Sequence, residues 1–356
     1  ALLALGCVPG ERVALLAKNC AEWFISDLAI QQAGLVSVPL YPLQAPEQIA
    51  YVLEHAGCKV ILVGKLDEPE KLATGIAAHI TRIAMPYPTM PADYQWQALL
   101  AAHEPLPGVH LQRADDLLSI LYTSGTTGRS KGAMLSHDNL ASNSYSLVDY
   151  WRFTDKDVLI HALPIYHTHG LFVASNVTLF ARASMIFLPK FDPDAILKLM
   201  ARATVMMGVP TFYTRLLQNP GLNKDVTRHM RLFISGSAPL LADTHREWSA
   251  RTGHAVLERY GMTETNMNTS NPYDGDRVPG AVGFALPGVT VRVTDPETGT
   301  ELPRETIGMI EVKGPNVFQG YWRMPEKTKA EFRADGFFIT GDLGKIEDRK
   351  STRLNS

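Results

Sequence analysis

Tyr122-Thr-Ser-Gly-Thr-Thr-Gly-Arg-Ser-Lys-Gly132 sets five Ser/Thr residues, three glycines and two cations in eleven consecutive positions. Glycine lets main chain come close to an anion, and successive backbone N–H groups and hydroxyls can converge on phosphate oxygens while Arg129 and Lys131 add charge. The stretch reads as a cradle for the phosphates of a nucleoside triphosphate. Ahead of it, Leu117-Leu-Ser-Ile-Leu121 has the apolar run of a short buried strand. After it, Ser136-His-Asp-Asn139 offers N-cap residues for a helix over Leu140 to Val148, so the expected order is strand, loop, helix. The spacing Gly-x-x-Gly-x-x-Lys-Gly is not Gly-x-x-x-x-Gly-Lys-[Ser/Thr], and no Gly-x-Gly-x-x-Gly accompanies it. A P-loop kinase and a dinucleotide dehydrogenase are therefore both disfavoured. The plain alternative, a flexible Ser/Thr/Gly linker, fits poorly between an apolar strand and a capped helix.

These eleven residues resemble the phosphate loop of the adenylate-forming superfamily, which includes acyl-CoA synthetases, luciferases and adenylation domains. The resemblance implies that Thr123, Ser124, Gly125, Thr126, Thr127, Gly128 and Lys131 contact ATP. Glu258-Arg-Tyr-Gly-Met-Thr-Glu-Thr265 resembles the central motif of the same family. By that likeness Tyr260 lies against adenine, Thr263 reaches the phosphates and Glu264 holds Mg²⁺, with Glu258, Arg259, Gly261 and Met262 among the nucleotide contacts. A single carboxylate suits a hard cation whose other ligands are phosphate and water; the residue-level alternative for Glu264 is an ordinary surface or helix-start charge. Asp342 follows the strand-like Phe337-Phe-Ile-Thr340, and the likeness gives it the ribose hydroxyls; alternatively it is a turn aspartate bonded to its own backbone. Ser235-Gly-Ser-Ala-Pro239 resembles the family's adenine-side turn, placing Gly236, Ser237 and Ala238 by the base and Ser235 by the acyl carboxylate. Pro164-Ile-Tyr-His-Thr-His-Gly-Leu171 resembles a fourth core motif whose first histidine, His167, lies near the phosphates and gates the acyl tunnel. His167 and His169 at i, i+2 also allow a zinc reading, which no clustered third ligand supports; His161 and His169 are alternatively packed core histidines.

The 356 residues are 46% hydrophobic with a net charge of −2, which gives ample core and no bias toward nucleic acid. Cys7, Cys20 and Cys58 form no C-x-x-C pair and lie outside every motif, as expected of buried thiols in a reducing cytoplasm. No apolar run of 18 or more and no signal peptide appears, so neither membrane nor export is expected. Strands over Arg12–Ala17, Val36–Pro39 and Lys59–Val63 alternate with helices over Cys20–Ala33 and Ala45–Ala56, the pattern of an α/β fold with mostly parallel sheets. Pro86, Pro88, Pro91, Pro105 and Pro107 punctuate a connector between the first part of the chain and the part that carries the phosphate loop. The expected partition is a first αβ subdomain over 1–110 and a second over 111–282 with the phosphate loop and acyl pocket. A small β-barrel-like lobe over 283–348 and a tail of non-native appearance over 349–356, without a strand pattern, complete it. The resemblance implies the large N-terminal domain of the adenylate-forming fold, with the mobile C-terminal lobe outside the chain.

The implied chemistry is attack of a carboxylate on the α-phosphate of ATP, then displacement of AMP by the thiol of CoA. From Tyr122 to Gly344 the chain is most similar to malonyl-CoA synthetases. A dicarboxylate needs a cation in its pocket because a second buried charge is otherwise prohibitive. The likeness assigns that cation to Arg215, with Thr168 and Met267 as pocket walls; Arg246, Arg251 and Arg259 are rival cations, and Met267 is alternatively core filler. Gly283-Phe-Ala-Leu-Pro-Gly288 departs from the family's usual Gly-x-Pro-x-Pro-Gly. Two other readings stay open: activation of a different small acid for CoA or a carrier protein, and a non-catalytic nucleotide-binding remnant.

Overall fold

Val13–Leu16, Val36–Leu40 and Val60–Val63 are apolar at nearly every position, which leaves no face for water and requires cover on both sides. The computed structural model describes residues 1–123, 129–347 and the backbone of 352–354. Among the described residues the strands form three sheets, of seven, seven and four strands, and the chain divides into two compact units.

The first unit comprises Ala1–Asp138, Pro164–His167 and Phe318–Pro325. Its sheet contains β1 (Arg12–Leu16), β2 (Val36–Pro39), β3 (Val60–Val63), β4 (Thr81–Ala84), β5 (Tyr94–Gln95), β6 (Leu117–Thr123) and β7 (Lys131–Ser136), in the order β5-β4-β3-β1-β2-β6-β7. All pairs are parallel except β6 with β7. The helix Pro46–Ala56 begins on proline, ends on Gly57 at φ +69°, and presents Ile49, Val52, Leu53 and Ala56 to the core formed with Ala14, Val38, Ile61 and Val63. Two expectations change here. The segment after the phosphate loop is a strand before it is a helix: Lys131–Ser136 returns antiparallel along β6, and the helix runs over His137–Tyr150. The boundary expected near 110 is crossed by the sheet, because β6 joins β2 through Ser37 and Ser119, whose hydroxyl donates to the Ser37 carbonyl at 3.0 Å.

The second unit comprises Asn139–Leu163, Thr168–Val317 and Glu326–Ser356. Its larger sheet holds β8 (Val158–His161), β9 (Ser184–Phe187), β10 (Val205–Gly208), β11 (Leu232–Ser235), β12 (Leu257–Met262), β13 (Asn266–Ser270) and β14 (Phe284–Ala285), ordered β14-β13-β12-β11-β10-β8-β9. It is parallel from β9 through β12 and antiparallel beyond. The amino ends of β8, β10 and β11 are tied together by Asp157, which pairs with Arg231 at 2.7 and 2.8 Å and accepts from the Thr204 hydroxyl at 2.7 Å. Burial alone would raise the pKa of Asp157, but the bonds from Arg231, the Thr154 amide and Thr204 lower it overall. The antiparallel sheet of β15 (Thr290–Thr294), β16 (Gly308–Lys313), β17 (Phe338–Ile346) and β18 (Thr352–Leu354) completes the unit. The short β18 lies in the tail expected to lack a strand; its backbone pairs with Gly344–Ile346, and main-chain pairing of an edge needs no apolar pattern.

Candidate active site

In the first unit the hairpin of β6 and β7 sets Thr123 opposite Lys131, so two of the expected phosphate contacts face each other at the mouth of the loop. The Lys131 ammonium is 3.1 Å from the Tyr321 hydroxyl and 4.3 Å from the centre of its ring, a cation held over an aromatic face. Ser124, Gly125, Thr126, Thr127 and Gly128 lie outside the described residues. His167, half-buried in the same unit, meets Tyr41 edge-on with ring centres 6.2 Å apart.

In the second unit the carboxyl ends of β11 and β12 border a cleft of about 250 Å³. Ser235, Ser237, Ala238, Glu258, Arg259, Tyr260, Gly261 and Asp342 all line it, together with Val282 and Leu343. Ligands in open α/β sheets sit at this end of the strands. Tyr260 is 5% exposed and donates its hydroxyl to Asp342 Oδ2 at 2.7 Å, which joins two residues 82 positions apart. Burial, then the neighbouring Asp342 carboxylate, drive the Tyr260 pKa upward, so the phenol stays a donor. Glu258 accepts from the Gly280 amide at 2.9 Å. Glycine is obligatory at 261, where a Cβ would stand 1.8 Å from the Asn266 carbonyl oxygen beside the bulge between β12 and β13. At 236 a Cβ would meet the Arg259 guanidinium at 2.3 Å.

Thr263, Glu264 and Thr265 form the turn from β12 to β13, with Met262 at the strand end. Thr168 is buried, and its hydroxyl is 3.5 Å from that of Thr263. Glu264 is 4% exposed, and no group of three or more His, Cys, Asp or Glu side chains is arranged around a metal position among the described residues. One buried carboxylate on a turn fits Mg²⁺, which draws most of its ligands from phosphate and water, and does not fit a zinc centre.

Arg215 does not line this cleft. It is exposed on the helix Pro210–Leu217, with its guanidinium carbon 4.6 Å from the centre of the Phe191 ring, where water already solvates it. The buried cation is Arg259, 3% exposed, whose Nε and Nη2 have no hydrogen-bond partner among the described residues. Burial pushes its pKa down to about 9, offset in part by Tyr213, so the group remains charged at neutral pH. Arg259 and Leu257 share a face of β12, the face whose core contains Met207, Ile234 and Met267. Met267 is 1% exposed in that cluster, so it is a core residue even as its methyl approaches Gly261. Ser235 Oγ is buried without a hydrogen bond.

Several supporting side chains had no recognisable motif. Asn143 brackets Met267, donating to its carbonyl at 2.8 Å and accepting from its amide at 3.2 Å. Asn316 donates to the Thr265 carbonyl at 2.7 Å. Buried asparagines of this kind were visible only as polar residues in apolar surroundings.

The AMP-binding enzyme family model matches residues 1–322. A malonate–CoA ligase of Arabidopsis thaliana is 35% identical over 364 residues, covering 96% of this chain and 59% of that protein, so the chain spans about 59% of this relative's length. The ATP-bound MatB structure from Rhodopseudomonas palustris is 64% identical with a TM-score of 0.92, covering 99% of this chain and 70% of that one. A malonyl-CoA ligase in a product complex with methylmalonyl-CoA and AMP is 33% identical with a TM-score of 0.82, covering 97% and 71%. With the fold of its two units matched by such structures and the family model spanning most of its length, the chain belongs to the AMP-binding enzymes.

Proposed function

We propose that this chain is the nucleotide- and acid-binding part of an acid–thiol ligase that converts malonate, ATP and CoA to malonyl-CoA, AMP and pyrophosphate. The observation that carries the acid assignment is Arg259: a fully buried guanidinium with two nitrogens unsatisfied, at the wall of the cleft. A buried cation without a partner is unfavourable in the free protein, and the distal carboxylate of a small dicarboxylate supplies its counter-charge. On this reading Arg259 takes the role expected of Arg215, and the likeness assigns Thr168 and Met267 to the wall of the acyl pocket, for malonate or methylmalonate.

In the second unit Tyr260 and the turn Gly236-Ser237-Ala238 are assigned to adenine, Asp342 to the ribose hydroxyls and Thr263 to the phosphates; in the first unit Thr123 and Lys131 are assigned to the phosphates, a role the likeness also gives to Ser124, Gly125, Thr126, Thr127 and Gly128. The likeness gives His167 of the first unit the role of gate to the acyl tunnel and Ser235 of the second that of a contact to the reacting carboxylate. Mg²⁺, carried on Glu264, would neutralise charge on the phosphates when bound. The acid's carboxylate oxygen attacks the α-phosphorus and pyrophosphate leaves; the CoA thiolate then attacks the acyl carbon and AMP leaves. Fixed hydroxyl and N–H donors suit the charge that accumulates on pyrophosphate. Burial pushes the Cys20 and Cys58 thiols up to about 11 and about 12, which suits reduced, unreactive cysteines. No helix of the described residues is long and apolar enough to cross a membrane.

The test is ATP–pyrophosphate exchange with malonate, methylmalonate, acetate and oxalate, using the polypeptide extended to the length of its relatives. Malonate is expected to lead. Acetate exchanging as well as malonate would overturn the dicarboxylate assignment, and no exchange with any acid would overturn the ligase reading.

A further inference from the structure

We propose that His169 is a positioning residue, holding the turn Ser235–Pro239 in the shape that receives the nucleotide base. The proposal rests on the nucleotide reading of the cleft and adds a residue that does not line it. Ser237 has φ +71°, a left-handed backbone conformation that an L side chain adopts only under constraint. It is exposed and borders the cleft, so packing does not supply that constraint. Among the described residues its side chain is held by His169, 2% exposed, whose Nδ1 is 3.1 Å from the Ser237 hydroxyl.

The ring of His169 is itself firmly based. It opens the π-helical segment His169–Ser175, every residue of which is buried. The first turn of that segment is braced at the Gly170 carbonyl, which accepts from the Ser175 hydroxyl at 2.7 Å and lies 2.9 Å from His161 Nε2. Burial pushes His161 down to about 4, so a neutral imidazole donates this bond at neutral pH. Short π-helical turns occur frequently at functional sites. Here the widened turn carries Thr168 toward Thr263 and His169 toward Ser237, so two consecutive residues reach the turn after β12 and the cleft-lining turn after β11.

The experiment compares the chain with His169→Leu, His169→Asn, Ser237→Ala, Ser237→Gly and the double variant His169→Leu/Ser237→Gly. Amide hydrogen exchange of 235–239 is measured without nucleotide, and AMP affinity by titration calorimetry. Asparagine can place a polar atom near the position of Nδ1, alanine removes the hydroxyl while keeping the strained φ, and glycine removes the strain. We expect faster exchange and about tenfold weaker AMP binding for His169→Leu and Ser237→Ala, near-normal behaviour for His169→Asn, and less than about twofold effect of His169→Leu once residue 237 is glycine. Ser237→Ala is at the surface and keeps the test alive if His169→Leu does not fold. Unchanged exchange and affinity in Ser237→Ala, with the parent binding AMP, would overturn this proposal and leave the nucleotide reading standing. Faster exchange with no AMP binding by the parent would overturn the nucleotide reading and with it any positioning role.

Discussion

Replacing Arg259 by methionine should move stability and activity in opposite directions. The guanidinium is buried and its pKa falls from the ordinary arginine value to about 9, so at pH 7 it is charged in both folded and unfolded chains but worse solvated in the folded one. That difference corresponds to about 5 kcal/mol as a ceiling on the destabilisation the charge imposes. The sign follows from linkage: the penalty is complete below pH 9 and is relieved only as pH rises toward the ordinary arginine value. Methionine keeps an unbranched chain and removes the charge, and replacing buried ions by apolar groups commonly stabilises by about 1–4 kcal/mol. Urea unfolding of the ligand-free protein should therefore show Arg259→Met with the higher midpoint. In the extended enzyme the same change should lower malonate kcat/KM by on the order of 10²–10³, as expected when one member of a buried ion pair is lost. A variant that is less stable without ligand, or that uses malonate unchanged, would refute the reasoning.

Three other outcomes follow from named contacts. Gly261→Ala forces a Cβ to within 1.8 Å of a backbone oxygen, so it should lower the unfolding midpoint by the equivalent of about 1–3 kcal/mol and abolish AMP binding, measurable by calorimetry; normal binding would remove the need for close approach there. Tyr260→Phe loses the 2.7 Å bond to Asp342 and should weaken AMP by about three- to tenfold with little change in malonate KM; a malonate effect alone would argue that the pair serves the acid. Asp27, 3% exposed with Oδ1 unpartnered, is pushed by burial up to about 6 from 3.8. The folded carboxyl holds a proton that the unfolded one releases, so parent stability falls as pH rises from about 4 to 6, and Asp27→Asn should gain up to about 3 kcal/mol at pH 7 and nothing at pH 4 in urea titrations. A gain that is equal at both pH values would show that charge is not the cause.

The αβ alternation of the first hundred residues was legible because β1, β2 and β3 are buried on both faces and the helix Pro46–Ala56 has proline and glycine at its ends. The cleft residues from 235 to 238 and 258 to 261 were legible because small residues and a charged, aromatic run follow apolar strands, and they do meet in space. β7 was not. Lys131, Gly132 and Ser136 read as loop, and only pairing with β6 makes a strand of them. The difference in burial between Arg215 and Arg259 was equally hidden, since a helix surface and a strand interior are separated by tertiary packing and not by the identity of an arginine. Asn143 and His169 act through long-range contacts, 124 and 68 positions away in sequence, that no local pattern reports.

The Asp157–Arg231–Thr204 tie lies at the amino ends of β8, β10 and β11, whereas the turns 235–239 and 263–265 issue from the carboxyl ends of β11 and β12. Anchorage and recognition thus occupy opposite margins of one sheet. If the proposed acid site is right, loop grafts at the carboxyl margin would alter which acid is accepted without loosening the anchored one, and short segments could be transplanted between relatives to exchange specificity.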